Sequence, residues 1–87
     1  MAEGLTRIIF FGRLRETVGK AAIEMALPPE VRSGADLAAL LGAQDPAIGA
    51  ALSHPSVKIV VDQTIGSSTT VISKAREIAF LPPYSGG

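Results

Sequence analysis

The tightest constraint on this chain is a pair of apolar runs at its two ends, Ile8-Ile9-Phe10-Phe11 and Ile78-Ala79-Phe80-Leu81. Residues 5–11 are rich in β-branched and aromatic types and end in four consecutive apolar residues, the pattern of a central strand with both faces at least partly covered. Residues 76–81 read as the last strand, with Ile78 and Phe80 on one face. If the two strands are neighbours, they form a parallel pair in the middle of the sheet. The stretch between them then has to hold a crossover, and it includes a helical segment of ample length.

The intervening residues supply the remaining elements. Residues 13–18 carry a short helical signal, with Leu14 and Val18 four apart and Gly19 as a stop. Residues 21–27 alternate, placing Ile23, Met25 and Leu27 on one face and Glu24 on the other, and Pro28-Pro29 ends that strand. The main helix starts at Ser33, an N-cap followed three residues later by Asp36 in the manner of a capping box. Leu37, Leu40 and Leu41 form its inward stripe, and Gly42 is expected to close it. Asp45-Pro46 reads as a cap followed by a proline at the first helical position, opening a second short helix that buries Ile48 and Leu52. It should end by His54, because the residue before Pro55 disfavours the α region. Residues 57–61 form another strand, Asp62-Gln63 a turn, and Thr64-Ile65 a short return. Residues 69–72 suggest an added edge segment.

Together these elements predict an α+β fold. A mixed sheet of four to five strands packs on one main helix, the ubiquitin-like β-grasp plan. The domain spans residues 1–81, and residues 82–87 form a flexible C-terminal tail.

Composition excludes several functions. Eight basic and eight acidic side chains cancel, so no strong field draws the domain to nucleic acid or to an anionic membrane. The absence of cysteine removes disulfides, thiolate ligands and a cysteine nucleophile. No apolar run approaches the roughly 20 residues that span a bilayer, and Met1-Ala2-Glu3-Gly4 opens no signal peptide. A cytoplasmic location is expected. The single histidine, His54, has no second histidine for a metal and reads as a surface or capping residue. No carboxylates cluster at metal-ligand spacing, so no metal is expected.

The end of the chain is where chemistry fits. The last strand runs into Pro82-Pro83-Tyr84-Ser85-Gly86-Gly87. The two prolines cannot continue a ladder and stiffen the departing backbone. The six residues reach at most about 20 Å when extended. Gly86 and Gly87 carry no side chains, so they can pass a narrow channel and deliver the Gly87 carboxylate into a pocket on another protein.

Three segments carry a family resemblance. Residues 9–19, Ile-Phe-Phe-Gly-Arg-Leu-Arg-Glu-Thr-Val-Gly, resemble the amino-terminal signature of the small subunit of molybdopterin synthase. Val60-Val61-Asp62-Gln63-Thr64-Ile65 resembles its middle turn, and residues 77–87, with the stop Pro-Pro-x-Ser-Gly-Gly, resemble its ending. The resemblance implies a sulfur carrier. An E1-like adenylating and sulfurtransferase partner would use ATP to convert the Gly87 carboxylate to an acyl-adenylate. Sulfur would then displace AMP and leave a thiocarboxylate. The large catalytic subunit of the synthase, a second partner, would use that sulfur to build the dithiolene of molybdopterin. In the family, two small subunits flank a dimer of large ones. No cofactor is expected to stay bound to the carrier, and its own side chains are expected to do no catalysis.

Parity adds a contact surface. If Phe10, Ile78 and Phe80 face the helix, Phe11 and Leu81 face away, and Ile65 joins them. These three match the apolar patch that the family turns toward its partners, and Arg15 of the amino-terminal signature is a further candidate contact. The chain departs from the family at Lys74-Ala75-Arg76, where an Asp-Gly-Asp turn is common, and at Tyr84, where a smaller residue is usual. Two related readings use the same activated end: a ubiquitin-like modifier attached to lysines, and a sulfur carrier for thiazole synthesis. A fourth reading is a β-grasp interaction module without C-terminal chemistry.

Overall fold

Strands β1 (Leu5–Phe10) and β5 (Glu77–Leu81) lie side by side and parallel at the centre of a five-stranded sheet. The computed structural model describes residues 4–67 and 69–82. Strand β2 (Ala22–Ala26) pairs antiparallel with β1, β3 (Lys58–Val61) pairs antiparallel with β5, and β4 (Thr64–Gly66) closes the other edge. The spatial order β2-β1-β5-β3-β4, with helical elements between the parallel strands, is the β-grasp arrangement.

The two central strands contribute Ile8, Phe10, Ile78 and Phe80, all fully buried, to one face of the sheet. Phe10 and Phe80 stack there with ring centroids 6.0 Å apart. Helices α1 (Arg13–Val18), α2 (Gly34–Gln44) and α3 (Pro46–Leu52) cover this face with Leu14, Leu37, Leu41 and Leu52. Burying large aliphatic and aromatic side chains stabilises by about 1.5–3 kcal/mol each, so this one layer of contacts holds the domain.

Local signals set the helix boundaries. Gly19, at φ 85°, takes the left-handed conformation that ends α1. Ser33 Oγ accepts from Asp36 N at 3.2 Å, and Asp36 Oδ2 accepts from Ser33 N at 3.2 Å, completing the capping box. Asp45 ends α2 and begins α3, its Oδ1 accepting from Ala47 N at 2.9 Å.

Two expectations are corrected. Gly42 does not close the main helix, which continues to Gln44. A Cβ placed on Gly42 would lie 2.7 Å from the Cα of Gly49, so the glycine permits α2 and α3 to touch backbone to backbone. Residues 69–72 add no strand to the sheet; Val71 instead forms an isolated antiparallel bridge with Ser33. Ile72 N donates to Arg32 O at 2.8 Å, so this segment is tied to the approach to α2 and its backbone groups are not free for a ladder.

Candidate functional site: the root of the C-terminal tail and the open sheet face

The last ladder positions of the central pair place the point where the tail leaves. Phe11 N donates to Phe80 O at 3.1 Å, extending the β1–β5 pairing one step. The chain then turns sharply at Gly12, with φ 55° and ψ −131°. A side chain here is opposed twice. The backbone is left-handed, and an added Cβ would lie 2.9 Å from Pro82 Cγ. Pro82 therefore sits against the turn that starts α1, at the edge of the domain. The other tail residues singled out from the sequence, Pro83, Tyr84, Ser85, Gly86 and Gly87, lie outside the described residues.

Next to this root, the sheet turns a second face away from the helices. The register aligns Ala22, Ile9, Ala79, Val60 and Ile65 in one row across all five strands. Phe11 and Leu81 follow in the next row toward the tail, with Lys58 opposite Leu81. Ile65 is 75% exposed and Phe11 41%, while Leu81 is half-buried. The helices with buried core residues pack on the opposite face, so an apolar strip runs from Ile65 to the tail root. Beyond it, at the far end of the central strands, a charged row sets Arg7 between Glu24 and Glu77.

The structure thus brings Phe11, Leu81 and Ile65 onto one face, continuous with Pro82. Sequence reasoning missed Ile9, Val60 and Ala79 as members of the strip. Part of their signal was present, since Ile9 has the parity of Phe11 and Ala79 that of Leu81, whereas Val60 joins them only through its pairing with Ala79 and Ile65. Arg15 is anchored within the domain, its Nε donating to Phe10 O at 3.4 Å, a long bond that ties α1 to the end of β1.

The turn between β3 and β4 is held from a distance. Asp62 and Gln63 both have positive φ, 48° and 70°. Asp62 Oδ1 accepts from Arg76 N at 2.9 Å and from Glu77 N at 3.0 Å. Asp62 N donates in turn to Glu77 O at 2.9 Å. The start of β5 is thereby fixed to the turn. Ala75, where the resemblance led to an expected glycine, has no left-handed backbone. It is buried, and its carbonyl accepts from Thr6 Oγ1 at 2.9 Å, so the missing glycine leaves no conformational demand unmet.

Among the described residues, no three of His, Cys, Asp or Glu are grouped to hold a metal ion, and no helix is long and apolar enough to cross a membrane. The Asp36 carboxyl is held below its ordinary value, mainly by the Arg32 N–H and also by Ser33. That group caps a helix and lines no part of the strip. The geometry suits presentation: a flat apolar face for a partner, and beside it the origin of a chain end.

Comparison with known proteins agrees with this layout. The ThiS family matches residues 8–87. The molybdopterin synthase sulfur carrier subunit of Escherichia coli (strain K12) is 32% identical over 84 residues, covering 95% of this chain and all of that protein. Among solved structures, small archaeal modifier protein 1 from Haloferax volcanii superposes with a TM-score of 0.73 at 18% identity, covering 97% of this chain and 100% of that one. The protein of the same name from Methanosarcina acetivorans gives a TM-score of 0.67 at 22% identity, with 97% of each chain covered. These two likenesses are of fold. The match along nearly the whole sequence, together with the full-length likeness to the Escherichia coli subunit, establishes that this chain belongs to the ThiS family.

Proposed function

We propose that this protein is the sulfur carrier subunit of a molybdopterin synthase, with the Gly87 carboxylate as its working group. The observation that carries this reading is the 32% identity to a sulfur carrier subunit over that protein's entire length, with a family match that runs through Gly86-Gly87. An ionised carboxylate is a poor acyl electrophile. An E1-like adenylating partner therefore transfers AMP from ATP to the Gly87 carboxylate, releasing pyrophosphate. A sulfur nucleophile then attacks the acyl carbon and AMP departs, leaving a thiocarboxylate. On the large catalytic subunit the thiocarboxylate sulfur bonds to the pterin precursor, and water then cleaves the acyl–sulfur bond, leaving the sulfur on the pterin and returning the carboxylate for recharging.

The strip formed by Phe11, Leu81, Ile65 and the row behind them is the surface on which both partners dock in turn. An apolar patch beside the departing tail supports this role, because contiguous exposed apolar surface marks interaction sites. One shared surface makes the two engagements mutually exclusive, so the carrier shuttles between activation and delivery. Pro82, Pro83, Tyr84, Ser85 and Gly86 serve as the arm that spans from this surface to the partner's active site. The chain works in the cytoplasm, within a heterotetramer of two small and two large subunits.

Incubation with the cognate activating enzyme, ATP and a sulfur donor tests the proposal by mass spectrometry of the intact chain. An oxygen-to-sulfur mass increment confined to the C-terminal peptide is expected. Deleting Gly87 should abolish it while leaving the circular dichroism spectrum and melting curve unchanged. Sulfur delivery to the pterin by the truncated chain would refute the assignment.

A further inference from the structure

The two edges of the sheet are not alike. At one, β4 is three residues long, and the chain after it folds back so closely that a Cβ on Gly66 would lie 2.6 Å from Thr70 Oγ1. At the other, β2 is five residues long, and among the described residues its outer side pairs with no strand. The ladder to β1 fixes which of its groups point outward. Phe10 N donates to Ala21 O at 2.9 Å, and the same register sets Ile23 against Ile8 and Met25 against Thr6. Residues of an antiparallel ladder bond alternately to one side and the other. Ala21, Ile23 and Met25 therefore bond inward to β1, while the N–H and C=O groups of Ala22, Glu24 and Ala26 point away from the sheet, where they can receive another strand. We propose that this edge binds a second copy of the chain, β2 against β2 and antiparallel, across a two-fold axis at Ala22.

The sequence along the edge singles out this occupant. Lys20-Ala21-Ala22-Ile23-Glu24 is complementary to its own reverse. With Ala22 opposite Ala22 of the second copy, Glu24 of each chain stands opposite Lys20 of the other, and Ile23 stands opposite Ala21. Lys20, Ala22 and Glu24 share the outward parity, so the bonding groups of the two strands meet in phase. Neighbouring registers lose the match. A pairing centred on Ile23 sets Glu24 against Ala22 and Lys20 against Ala26, and one centred on Glu24 sets two carboxylates face to face. Edge charges ordinarily keep sheets from pairing at random; here they reject the other registers and favour one. Lys20, Ala21 and Glu24 are exposed, and the alanines at the axis let the two backbones approach. The formal net charge of zero sets no long-range repulsion between copies.

Residues directly opposite in a ladder share a face of the sheet. The two open faces therefore lie on the same side of one continuous sheet, and the row from Ile65 to Ala22 runs on into the same row of the second copy. Phe11, Leu81 and Ile65 stay uncovered, and the two exits of β5 point in opposite directions. The free protein in this form offers both of its apolar strips on one side.

Sedimentation equilibrium of the full chain tests the proposal. A contact made by one short strand is small and hence weak, so the series runs to about 1 mM protein. A monomer–dimer equilibrium is expected for the unaltered chain. Glu24→Lys and Lys20→Glu each set like charges opposite one another twice, and each should raise the dimer Kd about tenfold or more. The double variant exchanges the two charges and should return the Kd to within about threefold of the original. Ala22→Pro removes the outward N–H at the axis and no bond to β1, and should leave a monomer. A purely monomeric unaltered chain at the highest concentration would overturn the proposal. So would a Kd unmoved by the single charge reversals, a double variant as weak as the single ones, or a dimer that survives Ala22→Pro. No ATP, sulfur donor or other protein is needed, so failure here and failure of thiocarboxylate formation are separate outcomes.

Discussion

At the scale of single residues, Asp62 and Gly12 are the positions where one side chain decides a local conformation. The Asp62 carboxylate satisfies two backbone N–H groups at the start of β5 while its own backbone is left-handed. Replacing it with alanine removes both bonds and puts a less tolerant residue at positive φ. Asp62→Ala should lose about 1–2 kcal/mol in urea unfolding. Asp62→Asn, which keeps an acceptor and tolerates the same backbone, should lose less than half of that. At Gly12 the left-handed backbone and the 2.9 Å approach of Pro82 act together. Gly12→Ala should cost about 1–3 kcal/mol and should displace Pro82, detectable as altered resonances around Leu14. The Asp62-Gln63 turn was legible in the sequence, because short polar residues between two apolar runs announce one. Its staple to residues 76 and 77 was not, because nothing local to Asp62 specifies which distant N–H groups its carboxylate will meet.

Among the elements, the corner between α2 and α3 carries the main discrepancy between the expected and observed folds. A glycine near the end of a leucine stripe ordinarily signals a helix stop, and that is how Gly42 reads in sequence. Its observed role is visible only once the chain has doubled back at Asp45-Pro46 and brought Gly49 against it. Alanine at either position gains up to about 1 kcal/mol of helix propensity. It also forces two backbones apart, and overpacking of that kind costs about 1–3 kcal/mol. Gly42→Ala and Gly49→Ala should each destabilise. The double variant should cost less than the sum, because the first substitution already opens the contact that the second would open. Denaturant melts of the four chains give the cycle.

The capping box at the start of α2 makes a pH prediction. Asp36 is held below its ordinary value of 3.8 by the Arg32 N–H first and by Ser33 in addition. Its folded-state affinity for a proton is therefore the weaker one, and its contribution is complete above the unfolded value and lost as pH falls through the folded one. Thermal melts taken from neutral pH down through the carboxylate range should show a shallower acid decline for Asp36→Ala than for the unaltered chain. The 69–72 segment illustrates the limit of element reading. Its threonines and β-branched residues have strand character, but a strand also needs a free ladder to join, and Arg32 and Ser33 claim those backbone groups first.

For the molecule as a whole, the fold was legible because its two most apolar strands are also its most central, and a run of consecutive apolar residues declares a strand flanked on both sides. The open face was legible in part. Phe11 and Leu81, and with them Ile9 and Ala79, follow from parity along their own strands, whereas setting Val60 and Ile65 beside them needs the register between strands, which sequence does not state. If the strip docks partners, its most exposed member should matter for binding and little for folding. Ile65→Glu should change stability by no more than about 0.5 kcal/mol. It should weaken association with the large subunit by about 2 kcal/mol or more if Ile65 lies near the centre of the contact, as read by titration calorimetry.

The parallel pairing at the heart of the sheet also governs how the protein can be handled. Parallel neighbours start at one end of a sheet and finish at the other, so the entrance to β1 and the exit from β5 lie on opposite poles, separated by roughly 15–20 Å of strand. Anything joined ahead of Leu5, whether an affinity handle, a fluorophore or a surface linker, hangs from the pole remote from the exit of β5. The molecule can be tethered there and still offer its working end to passing enzymes.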